Sequence, residues 1–400
     1  MRLNPRTGPS YTRILSKEAD ADRRVTATGW LLGAIALGLL LALLIAALAG
    51  RRRALPAPGP VPPAARPVAA PPAPRPWADL RYPTEQDLLD GGLGAFQPTA
   101  SGNPESALFG STRTAQRGGR LGPSFHEGVD IASRRRDARG QPQDVVGAIA
   151  KGRVVYVNRS GGNSTYGQYV VLAHDDRIGE VYSLYAHLAE VWAGIWPGKD
   201  LAPGEPLGRM GNTASTGIPL ARAHLHLETA LLANRRFDAW FRAHKLTSDH
   251  GPYNGWNLLA FDPLALYRAR RERPDAGVAD VLARAPRAFD LALRTAAPLD
   301  FFERYPALWR GPAAAGQPIV MSCAENGLPL AGRRATPAEA AALGRESCRV
   351  LQVDEAALGR NGCRLIARSS RGWVLTESGQ RWLEILTYAP GALPVGYAGK

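Results

Sequence analysis

The chain has 400 residues and a formal net charge of +14, and this length allows about two or three folded units with a substantial core. The positive charge predicts an anionic partner, which would be a nucleic acid, an acidic membrane surface or a cell-wall polymer that carries carboxylates. Three cysteines, all after residue 320, exclude a disulfide-stapled miniprotein and lack the paired spacing of a structural zinc ribbon.

An uncharged apolar run at residues 29–50 is predicted to be a transmembrane helix that follows an N-terminal segment, residues 1–28. At about 1.5 Å per residue, the run spans the roughly 30 Å hydrocarbon core of a bilayer. The alternatives are a buried soluble helix and a cleaved signal peptide, since Ala47 and Ala49 resemble a cleavage site. The length of the run and the arginines at residues 51–53 favour a retained anchor. Basic residues flank both ends, so the charge pattern leaves the orientation open.

Residues 51–94 are predicted to be a linker rich in proline and alanine. Ten prolines between residues 56 and 76 cannot pack a core and favour an extended polyproline II conformation. At about 3.1 Å per residue, such a spacer could hold a domain well away from a membrane surface.

Residues 95–265 are predicted to form a mainly β domain. Short apolar runs between turn residues indicate strands at residues 145–149, 153–157, 168–173, 180–187 and 223–231. No long helical periodicity separates them, which favours an antiparallel sheet or sandwich over a doubly wound α/β fold.

Residues 275–400 are predicted to be a small α+β module, and the sequence does not indicate its role. Residues 276–294 are predicted to be largely helical despite Pro286, and a capping box from Thr336 to Glu339 begins a second helix. Strands are predicted at residues 348–353, 363–367 and 373–376. One disulfide is expected outside the cytoplasm, with no pair indicated among Cys323, Cys348 and Cys363.

Two histidines on one predicted strand mark the candidate site. Side chains alternate along a strand, so His224, His226 and Glu228 share one face while the leucines between them enter the core. Neighbours on one face lie about 7 Å apart, which suits one metal ligand and one substrate-facing group better than two chelating ligands. His126 and Asp130 could complete a set of three ligands.

The composition of this set is typical of a catalytic metal site. Two neutral imidazoles and one carboxylate leave the fourth tetrahedral position of a zinc ion open to water. The metal lowers the pKa of that water to about 7 and polarises a carbonyl, while a further histidine nearby can move a proton. The sequence at His126 and Glu127 begins like an HExxH motif, but Asp130 and the helix-disfavouring Gly128 argue against that interpretation.

Several short motifs follow one another along the predicted β domain. They are His126-Glu127-Gly128-Val129-Asp130, Tyr185-Ala186-His187-Leu188, Gly211-Asn212-Thr213, His224-Leu225-His226-Leu227-Glu228 and the closing Asp262-Pro263. Each motif alone is weak, but in this order they resemble the lysostaphin-like (M23) family of peptidoglycan hydrolases. Residues 134–143 and 218–223 are longer than the family pattern, and the arginines at residues 134–136 form either a solvated basic loop or a site for substrate carboxylates.

The resemblance implies a role for each motif residue. Zinc would be bound by His126, Asp130 and His226, with His187 and His224 as the catalytic pair. Glu228 would orient a metal-bound histidine, or it would be an exposed glutamate at a strand end. The implied fold is an antiparallel β core of the duplicated-hybrid-motif type with a narrow groove.

The function that the resemblance implies is a zinc endopeptidase that hydrolyses peptide bonds in peptidoglycan stems or cross-links. It would be a single-pass protein of the bacterial inner membrane with its catalytic domain in the periplasm. No nucleic-acid-binding motif is present, so nucleic acid is not an expected partner. The alternative is an inactive regulator or an envelope-assembly component of the same fold, in which the C-terminal module would dock a protein partner.

Overall fold

The computed structural model describes residues 77–117, 120–246, 250–295, 297–312 and 316–391, with the backbone alone for residues 115–117 and 120–122. The predicted transmembrane helix and most of the predicted linker lie outside the described residues. Within them, no helix has both the length and the apolar character needed to cross a membrane.

In the described residues before the C-terminal region there are eleven strands. They are β1 (Thr112–Arg117), β2 (Arg120–Phe125), β3 (Val129–Ala132), β4 (Val145–Gly147), β5 (Gly152–Asn158), β6 (Gln168–Asp176), β7 (Gly179–Val191), β8 (Asp200–Leu201), β9 (Pro206–Met210), β10 (His224–Leu232) and β11 (Leu258–Phe261). β1 and β2 form a hairpin of their own. The other nine form one sheet, called the β core below, in the order β11-β10-β7-β6-β5-β8, with β3 also paired to β10 and β9 paired to β4 and β7.

All pairings in the β core are antiparallel. The five strands predicted from the sequence are confirmed as β4, β5, β6, β7 and β10, with shifts of a few residues at their ends. The predicted antiparallel β fold of this region is therefore confirmed.

β10 lies inside the sheet and all nine of its residues are buried. Leu225, Leu227 and Leu231 point into the main hydrophobic core. On the opposite face, Ala230 and Leu232 belong to a second, smaller apolar cluster. The alternation expected from the sequence is thus present, and it places the polar side chains of the first half of β10 on a face that is also buried.

Two helices and an N-terminal segment cover the β core. The helices are α1 (Phe237–Ala243) and α2 (Pro263–Glu272), and the Asp262 side chain caps α2 by accepting a hydrogen bond from the Leu264 backbone. Trp77 is buried and its indole nitrogen donates to Asp176 at 2.7 Å, while the Arg81 backbone donates to the Ile149 carbonyl. Residues 77–94 therefore pack on the sheet.

The C-terminal region, residues 276–391, is a mixed α/β structure. Its helices are α3 (Val278–Arg284), α4 (Asp300–Arg304), α5 (Pro337–Leu343), α6 (Glu355–Leu358) and α7 (Glu377–Thr387). Its strands are β12 (Phe289–Leu293), β13 (Trp309–Arg310), β14 (Ile319–Cys323), β15 (Pro329–Arg334), β16 (Cys348–Val353), β17 (Ile366–Ser369) and β18 (Gly372–Leu375). β13-β15-β14-β12-β16 form one sheet and β17-β18 form a hairpin.

The prediction of a helix at residues 276–294 is correct only for the first half of this segment. The helix ends at Arg284, because Pro286 excludes the residue before it from helical geometry and Ala285 is extended. The second half is β12, which is fully buried between β14 and β16. The predicted strand at residues 363–367 begins only at Ile366, whereas the predicted capping box of Thr336 and Glu339 is confirmed.

The C-terminal region packs directly against the β core. The Tyr305 hydroxyl donates to the Glu180 carbonyl at 2.9 Å, and the Asn326 side chain donates to the Ala260 carbonyl at 2.7 Å. Asn234 donates to the carbonyl of Ile385 at the end of α7. Apolar residues of both regions contribute to the same buried cluster.

Candidate metal centre

Three buried side chains converge where β3 meets β10. Asp130 and His226 lie directly opposite each other in the antiparallel register, and His126 comes from the turn between β2 and β3. Asp130 Oδ1 lies 3.0 Å from His126 Nε2 and 2.9 Å from His226 Nδ1, and the two nitrogens are 3.1 Å apart. Among the described residues this is the group of histidine, cysteine and carboxylate side chains that could hold a metal ion.

The outer nitrogen of each histidine has an acceptor, which fixes the tautomer. His126 Nδ1 donates to the Leu108 carbonyl at 2.9 Å, and His226 Nε2 donates to Glu228 Oε1 at 2.9 Å. The inner nitrogens therefore present lone pairs toward Asp130. Such outer hydrogen bonds are the usual way in which proteins orient imidazoles that bind metals.

The electrostatics of the cluster fit a cation. Three acceptor atoms in mutual contact repel one another unless a positive charge lies between them. Burial lowers the pKa of His226, but hydrogen bonds to Asp130 and Glu228 outweigh it and raise that pKa to about 10. Burial also opposes the ionisation of Asp130, yet His126 and His224 hold its pKa well below the ordinary value. Both shifts indicate that the cluster favours positive charge, and a bound cation would take the place of the second proton on His226.

His187 and His224 lie beside this cluster with their rings 4.8 Å apart. His187 Nδ1 donates to the Thr213 carbonyl at 2.9 Å, and His224 Nδ1 donates to the Arg222 carbonyl at 2.7 Å. Their Nε2 lone pairs are thereby left for other partners, and His224 Nε2 lies 3.4 Å from Asp130 Oδ1. Burial, followed by the nearby His224 and His226, puts the pKa of His187 well below its ordinary value, so His187 is neutral near pH 7.

The backbone of His187 has an unusual conformation. Its φ is 61°, in the left-handed region that few residues other than glycine adopt. The pairing of β7 with β6 shifts register between Tyr185 and Leu188, so His187 lies at a bulge. Bulges re-aim side chains next to active sites, and this one turns the imidazole toward β10.

A family model agrees with this arrangement. Residues 124–238 match the model of peptidase family M23, and the matched segment contains all five side chains described above. Residues 124–238 are called the M23 domain below, after the family whose model they match. The match covers less than a third of the 400-residue chain.

Three solved structures illustrate what else the chain is similar to. A zinc-containing peptidase from Vibrio cholerae has 23% identity over 31% of this chain and 32% of its own, with a TM-score of 0.23. The catalytic domain of lysostaphin from Staphylococcus simulans has 19% identity, and the match covers 40% of this chain and 89% of the lysostaphin domain, with a TM-score of 0.26. Csd3 from Helicobacter pylori has 20% identity, and the match covers 38% of this chain and 29% of Csd3, with a TM-score of 0.21. The chain thus spans about a third of the V. cholerae protein, and no curated protein matches it.

Glu228 of the M23 domain is buried, with 1% of its surface exposed, so the alternative of an exposed glutamate at a strand end is wrong. Its Oε1 atom accepts from His226 and from the Tyr166 hydroxyl at 2.8 Å. Tyr166 was not predicted as a site residue. Burial, together with the charge of Glu228, raises the pKa of Tyr166 well above the ordinary value, so its hydroxyl stays a donor.

Arg113 is a second residue near the cluster that sequence reasoning missed. It lies on β1, and its Nη2 atom donates to Asp130 Oδ2 at 2.6 Å while Nε donates to the Ser106 carbonyl at 2.7 Å. Asp130 therefore has one oxygen toward the metal site and one on a guanidinium. Nη2 also lies 3.0 Å from His126 Nδ1, but with Nδ1 protonated toward Leu108 this is a contact between two donors.

The basic loop at residues 134–136 makes structural contacts. Arg134 donates to the Glu85 carbonyl and Arg135 forms an ion pair with the Glu85 side chain. Arg136 donates to the carbonyls of Leu220 and Ala223, so it holds the segment that leads into His224. All three arginines are exposed, as a solvated basic loop predicts, and these contacts do not indicate a site for substrate carboxylates.

The remaining candidates have simpler roles. His174 is buried between the Lys151 carbonyl and the Ser183 hydroxyl, so its role is structural. Tyr185 is fully buried, and its hydroxyl accepts from the Ile149 backbone. His244 is exposed and His250 is half-buried, and neither belongs to the metal cluster. No disulfide joins Cys323, Cys348 and Cys363, all of which the structure describes.

Proposed function

We propose that the chain is a zinc endopeptidase that hydrolyses peptide bonds in peptidoglycan stems or cross-links. The observation that carries this proposal is the convergence of His126, Asp130 and His226 with two further imidazoles at their side. The ligand set fits zinc, because two neutral imidazoles and one carboxylate at this spacing are typical of catalytic zinc sites. The M23 family implies peptidoglycan as the substrate.

The residues of the chain divide into holding and proton-moving roles. His126, Asp130 and His226 would hold the zinc, and Glu228 keeps the His226 lone pair inward by accepting its other proton. A bound zinc ion supplies Lewis acidity, which activates a water molecule and polarises the scissile carbonyl.

His187 and His224 would move the protons of the reaction. Each ring is fixed by its Nδ1 hydrogen bond, so each Nε2 atom can accept a proton from the attacking water. Once it carries that proton, Nε2 can donate a hydrogen bond to negative charge on the carbonyl oxygen. The proton must reach the leaving amine before the products separate. Because burial keeps His187 neutral near pH 7, it begins the reaction as a base.

We also propose that residues 29–50 anchor the protein in the bacterial inner membrane, with residues 1–28 in the cytoplasm and the catalytic domain in the periplasm. The apolar composition of residues 29–50 and the location of peptidoglycan support this orientation. Residues 51–76 of the predicted linker would give the catalytic domain its reach, because residues 77–94 pack on the β core. Protease added to intact spheroplasts should remove the M23 domain, and protection of that domain would contradict the orientation.

The test of the activity is digestion of purified peptidoglycan by the full-length protein in detergent, with the products identified by mass. We expect new peptide termini that disappear with a chelator and return with added zinc. A His187→Ala variant is the control for contaminating hydrolases. New termini that form equally with chelator, or with the variant, would contradict the proposal. The inactive-regulator alternative predicts no new termini with any zinc-loaded protein.

A further inference from the structure

The metal cluster lies in a cleft that the M23 domain does not form alone. The cleft has a volume of about 1780 Å³, and His126, His187 and His226 line it. Pockets for small molecules usually have volumes of about 300–1,000 Å³, so this cleft has room for a longer substrate. Much of its lining comes from the C-terminal region, which lies outside the family match.

Residues of the C-terminal region form one wall of the cleft. The wall, as the name is used below, consists of Asn326, Gly362, Arg364, Thr376, Arg381 and Trp382. Asn326 is bound to the β11 carbonyl of Ala260, and the Trp382 indole donates to the Gly327 carbonyl at 3.1 Å. The Asn326 hydrogen bond thus fixes the wall to the β core.

The wall also touches the residue that precedes His126. A Cβ atom at Gly362 would lie 3.2 Å from the backbone of Phe125 and 3.0 Å from the Thr112 hydroxyl, so a side chain at this position would crowd both groups. The backbone of Gly362 is held by a hydrogen bond to Glu325. The C-terminal region therefore reaches the edge of the metal site.

The cleft carries an excess of positive charge. Four arginines line it against two glutamates: Arg113, Arg222, Arg364 and Arg381 against Glu127 and Glu377. Arg113 is already paired with Asp130. The two arginines of the wall make no ion pair with any residue that the structure describes.

These two arginines are arranged to bind an anion. Arg364 is exposed at the end of a tight turn, with a left-handed φ of 51°. The Arg381 guanidinium stacks on Trp256 at 4.6 Å from the ring centre, which leaves the edge of the guanidinium for hydrogen bonds. A guanidinium edge without a partner matches the geometry of a carboxylate.

We propose that the C-terminal region is the second half of the substrate-binding cleft, and that Arg364 and Arg381 bind a carboxylate of the peptide whose amide the M23 domain cleaves. This inference rests on the proposed function, since it takes the substrate to be a peptidoglycan stem. The specificity for the charged form of the stem then resides in residues outside the M23 domain.

The experiment compares two synthetic stem peptides that carry the same label. One has free side-chain and α-carboxylates, and the other has them amidated. Full-length protein with Arg364→Ala or Arg381→Ala should show a KM for the free-carboxylate peptide that is raised about tenfold, with kcat unchanged. The amidated peptide should be bound weakly by the wild type and no more weakly by the variants.

The matched control is Arg368→Ala. Arg368 belongs to the same region and also stacks on a tryptophan, Trp373, at 5.2 Å, but it pairs with Glu355 and does not line the cleft. We expect its kinetic constants to equal those of the wild type. Melting temperatures establish that the variants fold, and Arg364→Gln and Arg381→Gln replace any alanine variant that does not.

Fluorescence anisotropy of the same peptides separates this proposal from the proposed function. Wild-type protein that binds the free-carboxylate peptide without cleaving it would contradict the endopeptidase activity and leave the wall proposal standing. Folded Arg364 and Arg381 variants that bind both peptides as the wild type does would overturn the wall proposal. An equal loss of affinity for both peptides would also overturn it, since the arginines would then act on structure and not on the carboxylate.

Discussion

Strands β10 and β16 show how differently the two regions use a strand. All nine residues of β10 are buried, and its polar face holds imidazoles and a carboxylate in mutual contact. β16, at the edge of the C-terminal sheet, has no fully buried residue. Burial makes charge expensive and fixes each polar group to a partner, so pKa values shift in β10. A solvated strand or turn cannot fix polar side chains or shift their pKa values in this way, but it can present charges to a substrate.

Catalytic chemistry and substrate recognition need different surroundings in this protein. The metal cluster requires a preformed set of lone pairs, which only an interior strand with fixed neighbours supplies. The wall requires arginines that keep unpaired N–H groups, which only an accessible surface allows. Substitutions of His226, His224, Arg113 and Tyr305 test this division between catalytic chemistry and substrate recognition.

His226→Ala should remove both metal and activity. The variant loses one of the three ligands and leaves Glu228 without its imidazole partner. We expect less than stoichiometric zinc by elemental analysis and no hydrolysis above background. His244→Ala, the same change at an exposed position outside the cluster, should retain both. Stoichiometric zinc and full activity in His226→Ala would exclude His226 as a ligand.

His224→Ala should separate metal binding from turnover. His224 contacts the cluster only through a 3.4 Å approach to Asp130, so its removal leaves all three ligand atoms in place. We expect zinc content to stay stoichiometric while kcat falls about 100- to 10,000-fold, the range for a lost acid–base group. Loss of zinc in parallel with kcat would instead make His224 part of the metal site.

Much of this site could be predicted from the sequence because its geometry follows from local spacing. The period of two residues along a strand is enough to place His224, His226 and Glu228 on one face. The antiparallel pairing of β3 with β10 then brings Asp130 opposite His226. The positions of His126 and His187 depended on the family resemblance, since no local rule relates them to β10.

The parts that could not be predicted depend on long-range packing. Arg113 and Tyr166 reach the cluster from other elements, and nothing in their own neighbourhoods marks them. The apolar run at residues 289–293 was assigned to a helix because a short buried run has the same composition in either structure. The left-handed turn at Arg364 delays the start of the predicted strand to Ile366, and the same turn places this arginine in the cleft.

Arg113→Ala should weaken metal binding without abolishing it. The change leaves buried Asp130 Oδ2 without its charged donor and frees the carboxylate to rotate. Loss of such an outer partner typically costs about 10- to 100-fold in metal affinity. Competition with a chromogenic chelator measures this affinity. Arg153→Ala removes an exposed ion pair with Glu180 and should have no effect. An unchanged affinity in Arg113→Ala would mean that packing alone orients Asp130.

Tyr305→Phe should have the smallest effect, on stability alone. The Tyr305 hydroxyl accepts from the Leu232 backbone at the end of β10 and donates to the Glu180 carbonyl in β7, so it joins the C-terminal region to the strands of the site. Its loss leaves the buried Leu232 N–H without this acceptor and the partly buried Glu180 carbonyl without this donor, which costs about 2 kcal/mol. Tyr388→Phe, which removes one 3.3 Å bond to Ala239, is the control and should cost less.

Differential scanning calorimetry measures the outcome of the Tyr305→Phe change. If the β core and the C-terminal region are one cooperative unit, the variant shows a single transition at a lower Tm. A second transition would mean that the hydroxyl couples two regions that can unfold separately. In that case KM for the free-carboxylate stem peptide should rise as the wall loosens, while kcat stays the same because the metal cluster lies within the β core. An unchanged Tm would contradict the inference that the Tyr305 hydroxyl joins the C-terminal region to the strands of the site.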